Sequence, residues 1–209
     1  MAAPDCHILV VGNPANTNAL VLLKSSKGKL RPDQVTAMSR LDFNRLQAQI
    51  AVRANVPINS VQNPVVWGNH SSTMVPDVNT ATVNGKPARK VVNDDAFLDG
   101  PLIPLIQKRG AEVIALRGLS SAMSAAKAAV DHMHDWVQGT PEGSFVCMSV
   151  YSTGNTYGVA DDLIYSFPCT CKNGKWTIVK DLTISPEVKS LMEITQKELV
   201  EEKEAAGFV

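Results

Sequence analysis

Apolar residues enter this chain as unbroken runs near the front and as alternations or helical spacings behind. The first run, Ile8 to Val11 in "HILVVGNPANTN", has no polar interruption, the pattern of a parallel strand covered on both faces. A turn at Gly12 to Asn16 follows. A helix is then expected over Thr17 to Lys24, with asparagines suited to its cap. After the loop "SKGKLRPD", Pro32 and Asp33 suit the first turn of a long helix reaching Asn55. Val35, Met38, Leu41, Leu46, Ile50 and Ala54 recur along it at roughly three- and four-residue steps. "NPVVWG" reads as a second buried strand.

Beyond His70 the rhythm changes. "NTATVNGKPARKVV" alternates and carries Asn84-Gly85, a strong hairpin signal. Residues 94–117 look helical but are interrupted by Gly100, Pro101, Pro104 and Gly110, so two or three pieces are expected. "LSSAMSAAKAAVDHMHDWV" predicts a helix with Met123, Ala126, Val130, Met133 and Val137 as its apolar stripe. "SFVCMSVYS" predicts a strand, and "FPCTCKNGKWTIVK" a hairpin turning at Asn173-Gly174. Ser185 and Pro186 open a final helix to about Ala205. The order describes a fragment of parallel β/α architecture at the front and an antiparallel α+β region behind, with the seam near His70. Ligands of open α/β sheets gather at the carboxyl ends of strands, which directs attention to the turns after Val11 and Trp67.

Composition narrows the classes. Twenty basic residues balance twenty acidic ones among 209. With no polybasic run, a nucleic-acid or anionic-membrane surface is not indicated. No apolar stretch is long enough to span a bilayer, and "MAAPDCHILV" lacks the marks of a signal peptide. Cys6, Cys147, Cys169 and Cys171 are too few for a disulfide scaffold and read as reduced thiols of a cytosol-like compartment.

Three side chains suggest chemistry. Asp42 and Arg45 of "RLDFNR" share a helix face; alone they are read as a local surface ion pair. His70, just past a strand in "VVWGNHSS", is alone an incidental histidine. Together they are more. An imidazole titrates near neutral pH, a carboxylate on its far nitrogen fixes the tautomer and stabilises the imidazolium, and a guanidinium grips a carboxylate with two parallel bonds. Asp42, Arg45 and His70 thus suit a site that binds a small carboxylic acid and moves a proton. Asn13 is placed to hydrogen-bond the reacting oxygen.

"VVGNPANTN", "LDFNR", "VVWGNHSS", "LSSAMSAAKA", "GTPEGSFVCMSVYSTGNTYGVADDLIYSFP" and "KELVEEKEAA", in this order, resemble cytosolic-type malate dehydrogenases of the lactate/malate dehydrogenase family. The resemblance covers nearly the whole chain. It implies an α/β fold: residues 1–24 as the last part of a truncated NAD-binding Rossmann domain, and 25–209 as the substrate-binding, catalytic carboxy-terminal domain. It implies His70 as proton carrier, Asp42 as its partner, Arg45 on the substrate carboxylate, and Asn13 and Ser121 near substrate and nicotinamide, with Ser120 a weaker candidate. It further implies Val11, Gly12 and Asn13 behind an NAD cofactor, malate and oxaloacetate as substrates, a homodimer and a cytoplasmic location.

The chain departs from that family at its front. It holds no G-x-G-x-x-G and no acidic residue placed for a ribose, and it lacks the mobile loop whose arginines select malate. Met1 is read either as an internal methionine of a longer chain or as a shortened start. Weak dinucleotide binding and an unpaired edge along Ile8 to Val11 are expected.

The alternative reading is an inactive fragment serving as a dimerisation module, through the helix at Thr36 to Arg53 and the alanine-rich helix near Ala122 to Val130, although internal packing is the favoured explanation of that alanine face. No metal site is expected: Cys169 and Cys171 share a strand face, and His132 and His134 point to different sides of a helix. Trp67, Trp136 and Trp176 are read as core or rim residues. "KELVEEKEAA" is read as a solvated helix face.

Overall fold

The computed structural model describes residues 3–208. Met1, and the two readings of it, lie outside the described residues. Strand β1 (Ile8–Val10) leads into α1 (Ala15–Ser25), which starts two residues earlier than expected. No asparagine caps α1: its cap position is Pro14 and makes no side-chain cap bond. Asn16 is instead buried inside the helix and its side chain is used elsewhere.

The long helix expected from Pro32 is three elements. A 3-10 turn, Pro32–Gln34, precedes β2 (Val35–Ala37) and then α2 (Arg40–Ala54). The β-branched Val35 and Thr36 favour an extended backbone, and pairing beside β1 with Ile8 opposite Val35 decides the matter. Val35 and Met38 therefore belong to a strand and its exit, not to a helical stripe. Tertiary pairing overrides helical spacing when the spacing is carried by so few residues.

The main sheet has the order β1-β2-β8-β9-β10, with β8 (Val146–Tyr151), β9 (Ile164–Lys172) and β10 (Lys175–Ile178). Among the described residues only β1 and β2 run parallel; β2 meets β8 antiparallel at Ala37 and Ser149. As the sequence suggested, β1 is an edge strand, and for that reason it is half-buried rather than fully covered.

"VVW" is β4 (Val65–Trp67), buried throughout as expected. It follows the short β3 (Val61–Gln62) and pairs antiparallel with β5 (Val75–Asp77). It is therefore not the hydrogen-bonded neighbour of β1; the parallel neighbour is β2. A single bridge from Gly68 to Ser166 ties the end of β4 to β9.

Asn84 and Gly85 both have positive φ, joining β6 (Thr82–Val83) to β7 (Lys86–Pro87) in the expected hairpin. The short helices α3 (Ala88–Val92) and α4 (Asp95–Asp99) lead to α5 (Leu102–Arg117). Pro104 lies within the first turn of α5, where a missing N–H breaks no bond. Helix α6 spans Ala122–Gln138 and α7 spans Pro186–Ala205, whose cap Ser185 accepts from the Val188 N–H at 3.3 Å.

Most of the stripe assigned to α6 is on the wrong side, although Met133 packs against the core. Met123, Val130 and Val137 are 77%, 66% and 49% exposed, whereas Ala128, His132 and Trp136 face inward. The buried set has the same helical spacing but combines an alanine, a histidine and a tryptophan, which a search for large aliphatic side chains passes over.

The main core lies between α2 and strands β4, β5, β8 and β9, with Leu46, Ile50, Trp67, Met148 and Phe167 fully buried. Trp67 packs edge-on against Tyr157 at 4.8 Å between ring centres and donates its indole N–H to Asp77 at 3.1 Å. Trp136 is also core, and Trp176 is half-buried. All four cysteines are free thiols. Among the described residues, no helix is long and apolar enough to cross a membrane and no cluster of metal-binding side chains occurs.

Candidate active site

A cavity of about 350 Å³ opens where the end of β1, the first turns of α2, the loop after β4 and the start of α6 meet. Val11, Asn13, Arg45, His70, Ser120 and Ser121 all line it. Asp42 stands behind His70 and is 1% exposed. Gly12 does not line the cavity; its carbonyl accepts from the Asn18 side chain at 2.9 Å.

The sharing of Asp42 organises the group. One carboxylate oxygen is hydrogen-bonded to His70 Nδ1, and the other accepts from Arg45 Nη1 at 3.2 Å. Asp42 lies in the first turn of α2, where the helix dipole favours a negative charge. The Arg45 guanidinium also reaches the Ser121 hydroxyl at 3.5 Å, linking α2 to the start of α6. The pair read from spacing as a surface contact is thus mostly buried.

Burial lowers the His70 pKa, and the nearby Arg45 charge lowers it further. The charge and hydrogen bond of Asp42 outweigh both, so His70 is held above its ordinary value. With Nδ1 committed to Asp42, Nε2 is the nitrogen left to exchange a proton in the cavity.

The backbone around His70 is fixed from outside the predicted trio. The Asn16 side chain accepts from the His70 N–H at 3.2 Å and donates to the carbonyls of Gly68 at 3.3 Å and Ile164 at 2.9 Å. By its sequence context Asn16 suits a turn or a cap; its burial within a helix follows only from the docking of α1. Gln107 also lines the cavity and anchors α5 by donating to the Met74 carbonyl at 2.8 Å.

An imidazole backed by a buried carboxylate, a guanidinium beside it and a small cavity in front form an arrangement that can hold a carboxylate and exchange one proton. The family profile "lactate/malate dehydrogenase, alpha/beta C-terminal domain" matches residues 39–207, and the chain belongs to that family. It is 53% identical over 209 residues to a cytoplasmic malate dehydrogenase of Mesembryanthemum crystallinum, covering 98% of this chain and 62% of that protein. To the cytoplasmic malate dehydrogenase 1 of Arabidopsis thaliana it is 52% identical at the same coverages. Its fold matches a crystal structure of malate dehydrogenase from Naegleria fowleri with a TM-score of 0.92 and 38% identity, covering 99% of this chain and 63% of that one. A Trichomonas vaginalis lactate dehydrogenase in complex with NADH and oxamate matches with a TM-score of 0.92 and 34% identity, at 98% and 63% coverage. The chain therefore spans less than two thirds of the length of these relatives.

Proposed function

We propose that the chain provides the substrate-binding and proton-transferring part of an NAD-dependent malate dehydrogenase, interconverting malate and oxaloacetate in the cytoplasm. The observation that carries this reading is the shared carboxylate of Asp42, which aligns His70 and Arg45 on one cavity. The choice of malate and of the cytoplasm rests on the names of the relatives. On this reading residues 1–24 end a nucleotide-binding domain and residues 25–209 form the substrate domain; the family match itself begins at residue 39.

Arg45 grips the carboxylate next to the reacting carbon in forked geometry. Asn13 and Ser121 approach the reacting group from the end of β1 and the start of α6. His70 Nε2 takes the hydroxyl proton as malate is oxidised and returns it in the reverse direction. Asp42 offsets the charge that then forms on the ring. General-base assistance of this kind contributes about 10²–10⁴-fold.

The residues present fit the reactive end of NAD. Val11 and Asn13 line the cavity with His70, and the space where a Gly12 Cβ would stand is open, so a flat ring can approach the backbone. NAD, when bound, would accept the hydride from the carbinol carbon. No glycine-rich phosphate loop occurs in the 209 residues, so no residue is assigned to the pyrophosphate.

Oxaloacetate-dependent NADH oxidation tests the proposal, measured on the chain alone and with the amino-terminal segment of a relative supplied in trans. Recovered turnover that His70→Asn abolishes is the expected result. Oxaloacetate that leaves the His70 ring resonances unmoved would overturn the assignment of the cavity.

A second reading, an inactive dimerisation module, is favoured by the exposed side chains Met123, Val130 and Val137 on α6. The homodimer belongs to both readings. Concentration-dependent sedimentation that Val130→Asp abolishes would support it, and an unchanged monomer would exclude the module.

A further inference from the structure

The turn that carries His70 is held by the last helix of the chain. Gly68, Asn69, Ser71 and Thr73 all meet one face of α7, more than 120 residues away in sequence. Asn69 donates its backbone N–H to Thr195 Oγ1 at 2.9 Å. Its side-chain amide donates to Glu198 Oε2 at 2.9 Å and to Glu202 Oε1 at 3.0 Å, so both hydrogens of one buried amide end on carboxylates. Ser71 and Thr73 hydroxyls approach the same Glu198 Oε2 at 2.5 and 2.6 Å. The Thr73 N–H donates back to Ser71 Oγ at 3.1 Å, closing the turn on itself. The second oxygen of Glu202 accepts from the Thr17 hydroxyl, which brings α1 into the same network.

Thr195, Glu198 and Glu202 are three and four residues apart, the spacing that puts side chains on one helix face. Two carboxylates at i and i+4 repel one another on an isolated helix. Here each finds a donor on the inward side, and charge-assisted bonds of this kind are roughly twice as strong as neutral ones. The "KELVEEKEAA" segment is therefore not wholly a solvated face: Glu198 and Glu202 turn inward while Lys197, Glu201 and Glu204 face water.

We propose that Glu198 and Glu202 are positioning residues for His70. They act through Asn69, Ser71 and Thr73 to fix the backbone on either side of the imidazole, so that Nδ1 meets Asp42 and Nε2 faces the cavity. Neither carboxylate touches the ring. Asp42 and Arg45 face the ring from α2, and Asn16 holds its N–H from α1. The α7 contacts supply the side of the turn that those residues leave open. A loop held at both ends keeps its proton carrier within hydrogen-bond reach of a bound hydroxyl, the geometry that general-base catalysis requires. The proposal rests on His70 being the proton carrier.

The test reads the ring directly and needs no turnover, so an inactive chain, which would bear on the proposed reaction, leaves the result intact. In the full chain, the His70 Nδ1 proton bonded to Asp42 is followed as a far-downfield NMR resonance, together with the titration of the ring. Glu198→Ala is expected to broaden that resonance to loss and to shift the titration. Glu198→Gln, which keeps an acceptor of the same shape, is expected to retain the resonance, as is Glu201→Ala on the exposed side of α7. Should Glu198→Ala melt below the working temperature, Ser71→Ala combined with Thr73→Val removes two of the three donors from the other side, with the same expectation. A resonance and titration midpoint unchanged in both of these variants would overturn the proposal, as would their loss in Glu201→Ala. In the complemented enzyme, Glu198→Ala is expected to lower kcat at least tenfold with KM within about twofold, because the substrate clamp at Arg45 is untouched.

Discussion

His70 and Arg45 are coupled through the single carboxylate of Asp42, with the imidazole Nδ1 on one oxygen and the guanidinium on the other at 3.2 Å. On the proposed reading, the proton carrier and the anion anchor therefore cannot be tuned separately. Asp42→Asn keeps the volume and removes the charge. Burial and Arg45, which both lower the His70 pKa, are then unopposed. The His70 midpoint is expected to fall below its wild-type value in an NMR titration. In the complemented enzyme, activity is expected to fall roughly 10²–10⁴-fold. A midpoint that stays in place would remove Asp42 from its assigned role.

Two histidines should tilt the stability curve in opposite directions. The His70 pKa is raised on folding, so its contribution is fully present below about pH 6.5 and is lost as pH rises through the folded value. Burial and the neighbouring Arg40 push His132 down to about 3. Above that value it stays neutral in the fold while the unfolded chain takes up a proton below about pH 6.5, so stability is lost as pH falls. A maximum near pH 6.5 is expected in thermal melts, with His132 contributing a slope of at most about 1.4 kcal/mol per pH unit on the acid side. His132→Gln, which can keep a hydrogen bond to the Thr36 hydroxyl now 3.0 Å away, should flatten the acid limb between pH 4.5 and 6.5. His70→Asn should flatten the other limb alone.

Arg45→Lys tests whether the forked geometry matters. Lysine keeps the charge near Asp42 but cannot offer two parallel N–H bonds to a carboxylate. Binding of oxaloacetate, followed by shifts of the His70 ring, is expected to weaken roughly 10–100-fold, the loss of about one charge-assisted hydrogen bond. The melting temperature should move little, because Arg45 lies at the cavity rim and Asp42 keeps a cation beside it. Equal affinity in the two proteins would mean that the substrate carboxylate goes elsewhere.

The sequence patterns reached the local devices and missed what docking decides. Asn84-Gly85 and Asn173-Gly174 form the hairpins expected of them, because both residues of each pair adopt positive φ and that preference is local. Ser185 caps α7 for a similarly local reason. The stretch from Val35 to Ala37 went wrong because its helical spacing competes with a parallel partner supplied by β1. On α6 the large aliphatic residues face outward, and a histidine and a tryptophan face in. At the site, His70, Asp42 and Arg45 were legible because each carries distinctive chemistry. Asn16, Glu198 and Glu202 were not, since a buried asparagine looks like a cap and a glutamate pair like a solvated face until the turn they hold is present. The like-charged spacing of Glu198 and Glu202 was the one available sign.

Gly68 offers the most severe backbone test of that turn. Its φ is +95°, and a Cβ built on it would lie 2.8 Å from Thr195 Cβ and closer still to Cγ2 and Oγ1. Gly68→Ala therefore combines a left-handed backbone, costing roughly 1–2 kcal/mol for a residue with a Cβ, with overpacking that typically costs about 1–3 kcal/mol. A total loss of about 2–5 kcal/mol is expected in chemical unfolding, together with displacement of His70 from Asp42. Thr195→Ala in the same chain removes the two nearest atoms, so the double variant should recover part of the loss and show a favourable coupling between the sites. The backbone strain stays, as does the lost bond from the Asn69 N–H to Thr195 Oγ1, so recovery should be incomplete. Strictly additive losses would place Gly68 and Thr195 out of contact in solution, and α7 would then have no direct hold on the start of the His70 turn.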